Sequence, residues 1–158
     1  MPVVLLRAGD LDLSGNESPA ELEANTTLTE KIEEIRLLAD AAMGLGDVSD
    51  TTVPKLSIVS APLAGGSINT RTFIPKRVHT SIGVLGAVSV AAGALVPGSV
   101  AELTNDGGVM RIEHPTGFFD VEVELGADAT LARSAVIRTA RKFFDGQVWP
   151  RSQEQELS

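Results

Sequence analysis

Cysteine and tyrosine are missing from this 158-residue sequence, and tryptophan occurs once. Without cysteine, disulfides, thiolate metal sites and cysteine nucleophiles are excluded within the chain. Two histidines, His79 and His114, are too few for a histidine-rich metal centre. Aromatic residues make up 4% of the chain, so Val, Leu, Ile and Ala must fill the core. That scarcity also removes the stacking platforms that single-stranded nucleic acids use. Positive charge is sparse too. Thirteen Lys and Arg face 21 Asp and Glu, for a net charge of -8 and a pI near 4.7. A broad basic face for nucleic-acid phosphates is therefore excluded. The opening run Met1–Arg7 is briefly apolar but lacks the basic segment of a signal peptide. The longest apolar stretch, Val78–Val96, is interrupted by His79, Thr80, Ser81, Ser89 and several glycines. At the short end of the spanning range, it reads as a buried helix of a soluble protein. A cytoplasmic location, with no membrane or nucleic-acid partner, is expected.

What remains is ordinary for a globular domain: 43% hydrophobic and 22% charged residues, in a chain long enough for one core. Pro2–Arg7 reads as a strand that begins almost at Met1, as if inside a larger fold. Gly9–Asn25 reads as polar and turn-rich. Thr27 and Glu30 have capping-box spacing. Leu28, Ile32, Ile35, Ala39, Ala42 and Met43 then recur at helical intervals, and Gly44 or Gly46 can end the helix. Glu30, Lys31, Glu33, Glu34 and Asp40 fall largely outward. Val53–Ser60 alternates like a half-buried strand, Ala61–Gly66 is a turn, and Ile68–Ile74 is a second strand. On that strand Asn69, Arg71 and Phe73 share one face.

A small-residue helix follows over Val78–Leu95, ended by Pro97-Gly98. Its glycines cost helix stability in water, so it depends on being enclosed. Ser99–Leu103, Val109–Glu113, Phe118–Leu125 and Ala132–Thr139 read as strands, with Asn105–Gly108 as a hairpin turn. Residues 1–150 form one domain in this reading, and 151–158 a polar, frayed tail. Strands wrapped around one hydrophobic helix place the chain in the α+β class.

Against the acidic background, Arg71, Lys76, Arg77 and His79 cluster just ahead of the expected small-residue helix. Cations beside a helix start suit a small polyanion. Arg71 is the first choice for a carboxylate, which a guanidinium grips with two parallel hydrogen bonds. His79 can donate to an anion or take part in proton transfer. Thr80 and Ser81 supply hydroxyls there or cap the helix. His114-Pro115-Thr116-Gly117 forms a second polar turn, where Gly117 lets a backbone N–H approach a ligand.

Taken in order, PVVLLRAGDLDLSGNESPAEL, EIRLLADAAMGL, the Arg71–Leu95 stretch, RIEHPTG and VIRTARKFFDGQVWP resemble the PrpF family. The resemblance runs collinearly from Pro2 to about Pro150. It implies isomerases of the 2-methylaconitate cis-trans isomerase and 4-oxalomesaconate tautomerase kind. It also implies a diaminopimelate epimerase-like fold, a rolled and mostly antiparallel sheet around a central hydrophobic helix. The implied reaction is an allylic 1,3-proton shift in an unsaturated di- or tricarboxylate, with no metal, flavin, nicotinamide or other cofactor.

The resemblance covers the C-terminal half of a family member. The family's general-base lysine and its Cys- or Ser-bearing loop belong to the other half. Lys55, Lys76 and Lys142 do not take that role, and no catalytic residue is assigned. The implied substrate-binding set is Arg71, His79, Thr80, His114, Thr116 and Gly117, with Thr116 standing where the family usually has Ser. Arg138 and Arg141 are read as structural. Phe143, Phe144 and Trp149 are read as core or interface residues. The implied partners are a small polycarboxylate and either an N-terminal half-domain or a second copy. The chain alone is expected to be inactive. The alternative is a non-catalytic anion-binding or subunit-interaction domain. A two-thiol epimerase is disfavoured by the absence of cysteine.

Overall fold

The computed structural model describes residues 1–103, 108–128 and 130–149. The expected turn at Asn105–Gly107 and the tail 151–158 lie outside them. Seven strands form one sheet: β1 Val3–Arg7, β2 Lys55–Ser60, β3 Ile68–Ile74, β4 Arg77–Val78, β5 Val109–His114, β6 Gly117–Leu125 and β7 Leu131–Ile137. Their order is β1-β2-β3-β5-β6-β7, and β4 pairs with β3. The β1–β2 and β3–β5 pairs are parallel, and the others are antiparallel. One edge of β3 is thus shared. Its end at Phe73–Ile74 pairs with β4, and its start at Ile68–Asn69 pairs with β5.

Among the described residues three α-helices, α1 Pro19–Ala24, α2 Thr26–Met43 and α3 Val84–Ala94, and a short 3-10 helix, Ala8–Leu11, complete this α+β architecture. Helix α3 packs on β1, β5, β6 and β7. Its Ala87, Val88, Val90, Ala91 and Ala94 meet Val59, Ile68, Met110, Ile112, Phe119 and Val121. Each large aliphatic side chain buried there contributes roughly 1.5–3 kcal/mol. The small residues have a steric reason. A Cβ on Gly93 would lie 2.6 Å from Leu5 Cδ1, so any larger residue would force the Leu5 side chain to move.

The opposite face of β2 and β3 is also covered. Leu56, Ile58 and Phe73 pack with Leu22, Leu28 and Ile32 of α1 and α2. With both faces occupied, β2 is buried along its centre rather than half-buried as its alternation implied. The polar member of that alternation, Ser57, is kept inside by a 2.8 Å hydrogen bond with Thr72.

Several local readings change. The polar stretch Gly9–Asn25 contains α1, and the capping box belongs there. Ser18 accepts from Glu21 N–H, Glu21 accepts from Ser18 N–H, and Pro19 opens the helix. Thr27 lies inside the first turn of α2, whose cap is Asn25, accepting from Leu28 N–H at 3.0 Å. Gly44 ends α2 at φ 63°. The inward positions of α2 are Leu28, Ile32 and Arg36, while Ala42 and Met43 are exposed.

The small-residue helix starts six residues later than expected. Arg77–Val78 folds back onto β3, and Gly83 precedes α3 with no side-chain cap. Ser99–Leu103 is a turn segment rather than a strand. Its Ser99 and Glu102 bond locally, and Leu103 N–H returns to Ala94 O. No helix among the described residues is long and apolar enough to cross a membrane.

Candidate functional site

Period-two alternation puts Asn69, Arg71 and Phe73 on the face of β3 away from α3. The parallel register Asn69↔Glu113 brings Glu113 of β5 onto that same face. There, at the edge of the Leu22–Phe73 core, the sheet is polar. A cavity of about 280 Å³ opens at this point, lined by Asn16, Leu63, Arg71, Glu113, His114 and Gly117 among others. Its walls come from the loop ahead of α1, the β2–β3 loop and the β5–β6 turn.

Arg71 is 6% exposed. Its Nε donates to Glu17 O at 2.6 Å, and its Nη1 donates to Asn69 Oδ1 at 2.8 Å and Thr70 O at 2.9 Å. The third nitrogen, Nη2, has no protein acceptor among the described residues, and it is not a sealed, unsatisfied atom. No carboxylate among the described residues forms an ion pair with this guanidinium. Burial pulls its pKa below the ordinary value, against the attraction of Glu17 and Glu113. An arginine remains charged under such conditions. The cavity therefore holds a buried cation fixed on two nitrogens and open on one.

Two carboxylates lie close by, and both are engaged elsewhere. Glu17 accepts from Ser14 N–H, Ser14 Oγ and Gly15 N–H, which shapes the loop that meets Arg71. Glu113, 4% exposed, accepts from the N–H groups of Leu63, Ala64 and Gly66 at 2.6–2.8 Å. Burial alone would raise the pKa of Glu113, but these donors, with Arg111 nearby, hold it below the usual carboxylate range. Arg111 itself is bound at two points to Asp120 and lies over the Phe118 ring. It is therefore already neutralised.

His114 ends β5 and lines the cavity. Its pKa is lowered, first by burial and then by the charges of His79 and Arg71, with the Phe118 backbone opposing. Its Nδ1 lies 3.4 Å from Thr116 N–H, as His79 Nδ1 lies 3.1 Å from Ser81 N–H. With Nδ1 accepting, the neutral His114 ring carries its proton on Nε2. Gly117, at φ 151°, closes the turn in a conformation that side chains rarely adopt.

The structure thus brings Arg71, His114 and Gly117 to one cavity. His79 and Thr80 sit behind its turn. His79 N–H donates to Thr72 O, and Thr80 O accepts from Thr116 Oγ1 at 2.8 Å. The expected basic cluster separates. Arg77 is exposed on β4, and Lys76 lines a different cavity with Glu23, Glu30 and Glu33. Because α3 begins at Val84, neither His79 nor Thr80 stands at a helix N-terminus, and Ser81 caps none. Glu113 and Glu17 escaped the sequence reading. Their signal is weak, because Glu17 lies in a polar, turn-rich stretch and Glu113 stands between Ile112 and His114 at the end of a strand.

A larger cavity, about 340 Å³, lies between Val59, Ile68 and Ala101. Its two charged lining residues, Arg7 and Glu102, are both exposed. The smaller cavity holds the buried cation and the imidazole, so chemistry rather than size selects it. No group of three or more His, Cys, Asp or Glu among the described residues is arranged to hold a metal ion.

Comparison with known proteins places this geometry in context. A 4-oxalomesaconate tautomerase of Pseudomonas putida is 49% identical over 153 residues, which cover 94% of this chain and 42% of that protein. A (4E)-oxalomesaconate Delta-isomerase of Novosphingobium sp. (strain KA1) is 44% identical over 94% of this chain and 43% of its own length. A 3-methylitaconate isomerase of Eubacterium barkeri is 24% identical over 94% of this chain and 45% of its own. The chain thus spans less than half the length of these curated relatives. A solved methylitaconate-delta-isomerase shares the fold, with a TM-score of 0.76 at 23% identity, over 92% of this chain and 43% of that one. The family model described as PrpF protein matches residues 1–151, nearly the whole of the sequence. With the ordered motifs, the shared fold and that match in agreement, the chain belongs to the PrpF family.

Proposed function

We propose that this chain forms the carboxylate-binding half of an isomerase that moves a proton across an allylic unit of an unsaturated di- or tricarboxylate. The observation that carries the reading is the Arg71 guanidinium, buried and fixed on Nε and Nη1, with Nη2 left for a ligand. A substrate carboxylate on Nη2 would complete a charge-assisted hydrogen bond that no protein acid makes. Its fold would be the rolled, diaminopimelate epimerase-like kind, with residues 1–150 as one domain.

In the reaction, a base removes a proton from the saturated carbon next to the double bond. The released electron pair forms the new double bond as the old one shifts toward the conjugated carboxylate, giving a dienolate. A proton returned at the far carbon completes the shift, with no net change in atoms or electrons. Arg71 and the Nε2–H of His114 would stabilise the charge that grows on the carboxylate. Thr116 and Gly117 would shape the turn around it, with Thr80 and His79 supporting that turn. The base would come from a companion half-domain or a second copy, because the cavity is lined by no lysine. The exposed β7 edge, Phe143, Phe144 and Trp149 offer a surface for such a partner.

The second reading is a non-catalytic polycarboxylate-binding domain. It is favoured by the cavity's single imidazole and by the engagement of Glu113, its one carboxylate, with three backbone donors. An ultraviolet isomerisation assay with trans-aconitate and 2-methyl-trans-aconitate separates the readings. The proposal expects no turnover from the chain alone and turnover when the other half of a relative is added. Turnover by the chain alone would contradict the half-site assignment. Ligand binding without complementation would favour the second reading.

A further inference from the structure

The β2–β3 loop runs from Ala61 to Ser67, and only its last residue, Ser67, carries a polar side chain, whose Oγ accepts from Arg111 N–H at 3.0 Å. Leu63 and Ala64 nevertheless form part of the cavity wall beside Arg71. The stretch Ala61–Gly66 before Ser67 cannot hold its shape through side-chain hydrogen bonds of its own. The Glu113 carboxylate does it instead. Oε2 accepts from Leu63 N–H at 2.6 Å, and Oε1 accepts from Ala64 N–H at 2.8 Å and Gly66 N–H at 2.7 Å. The backbone of Glu113 is fixed in turn, since its carbonyl accepts from Thr70 Oγ1 at 2.7 Å. Gly66 is fitted to this arrangement. A Cβ there would lie 2.7 Å from Glu113 Cγ and 2.8 Å from Oε1. Van der Waals contact forbids that approach without displacing the carboxylate.

The arrangement has an electrostatic consequence. A free carboxylate on this face would be the natural partner of the Arg71 guanidinium, closing the site to any other anion. With its oxygens spent on three backbone donors, Glu113 makes no ion pair with Arg71. We propose that Glu113 is the positioning residue of the site: it clips the Leu63–Gly66 wall into place and, being consumed by that wall, leaves Arg71 open to a ligand carboxylate. This rests on the reading of the Arg71 cavity as a carboxylate site.

Two variants test it by independent routes. Glu113→Gln keeps the shape but turns one oxygen into a donor that faces backbone N–H groups. Gly66→Ala leaves the charge intact and presses on the carboxylate, and also on Arg111 O, 2.9 Å from the added Cβ. Amide exchange at Leu63, Ala64 and Gly66 and the affinity for trans-aconitate are measured for each variant and for the pair. The expected result is faster exchange confined to the loop and affinity weaker by roughly tenfold or more. The double variant should lose little beyond either single one, because both break the same clip. Additive losses that follow global stability, with exchange accelerated throughout β3 and β5, would overturn the proposal. So would unchanged exchange in the loop, or a released loop with unchanged affinity. If the parent chain fails to bind trans-aconitate, the carboxylate-site reading falls, while loop exchange in the two variants still decides whether Glu113 is the clip.

Discussion

Thr116 Oγ1 donates to the backbone carbonyl of Thr80 at 2.8 Å, across 36 positions of sequence. This one bond latches the turn that carries His114 to the segment that carries His79. Thr116→Val keeps the side-chain shape but removes the donor. It should lower stability by about 0.5–1.5 kcal/mol, the net worth of one such bond. Thr116→Ser should retain most of it. Urea denaturation of the three proteins measures the difference, and equal midpoints would show that the latch carries no weight.

Acidification should weaken the fold through His114. Its folded pKa is lowered, first by burial and then by His79 and Arg71. The unfolded chain therefore binds a proton more readily than the folded one. The group's contribution is fully present above the ordinary histidine value of about 6.5 and is lost as pH falls from there through the lower folded value. Polycarboxylate bound near Arg71 would favour the charged imidazole and move this loss to lower extent. Denaturation of the free chain and of His114→Gln, between about pH 5 and 7.5, tests the sign. The parent's advantage over the variant should shrink on acidification, and an advantage that grows would refute the assignment.

Arg36 should prove one of the costlier residues to remove outside the cavity. Its side chain is 1% exposed and donates to Val48 O, Val53 O and both oxygens of Glu33. It thereby ties the 44–54 connection to α2. Arg36→Ala would take the charged donor from two carbonyls, which keep only Thr51 as a partner, and leave a partly covered carboxylate unpaired, at a cost of about 3 kcal/mol. Thermal and chemical denaturation measure this directly. A loss below about 1 kcal/mol would mean that water replaces those bonds.

Where hydrophobic period and turn chemistry agree, structure was legible in the sequence. β3 spans Ile68–Ile74 as its alternation indicates, and Gly44 ends α2 as a left-handed cap. Arg71 stood out through a basic cluster with Lys76, Arg77 and His79, although the structure separates Lys76 and Arg77 from it. Arg36 could not. An arginine at an inward helical position looks like an outward one until the carbonyls of a distant loop supply its acceptors. The start of α3 was misplaced because no helix breaker stands between Val78 and Ile82, whereas pairing of Arg77–Val78 with β3 captures that end first. Glu113 was invisible for a related reason. Its partners are backbone N–H groups 47–50 positions away, which no side-chain pattern announces. The site is assembled by the parallel β3–β5 register, and register between distant strands is written in tertiary packing rather than in local sequence.

The central claim is that Arg71 holds a substrate carboxylate. The most direct test is a ¹H–¹⁵N NMR titration of the chain with trans-aconitate. The account predicts saturable shifts at Arg71 Nε–H, at the Gly117 amide and at the Leu63 and Ala64 amides, with the other cavity beside Val59 and Ala101 unaffected. Saturable shifts confined to that second cavity, or no saturable change at Arg71, would contradict it.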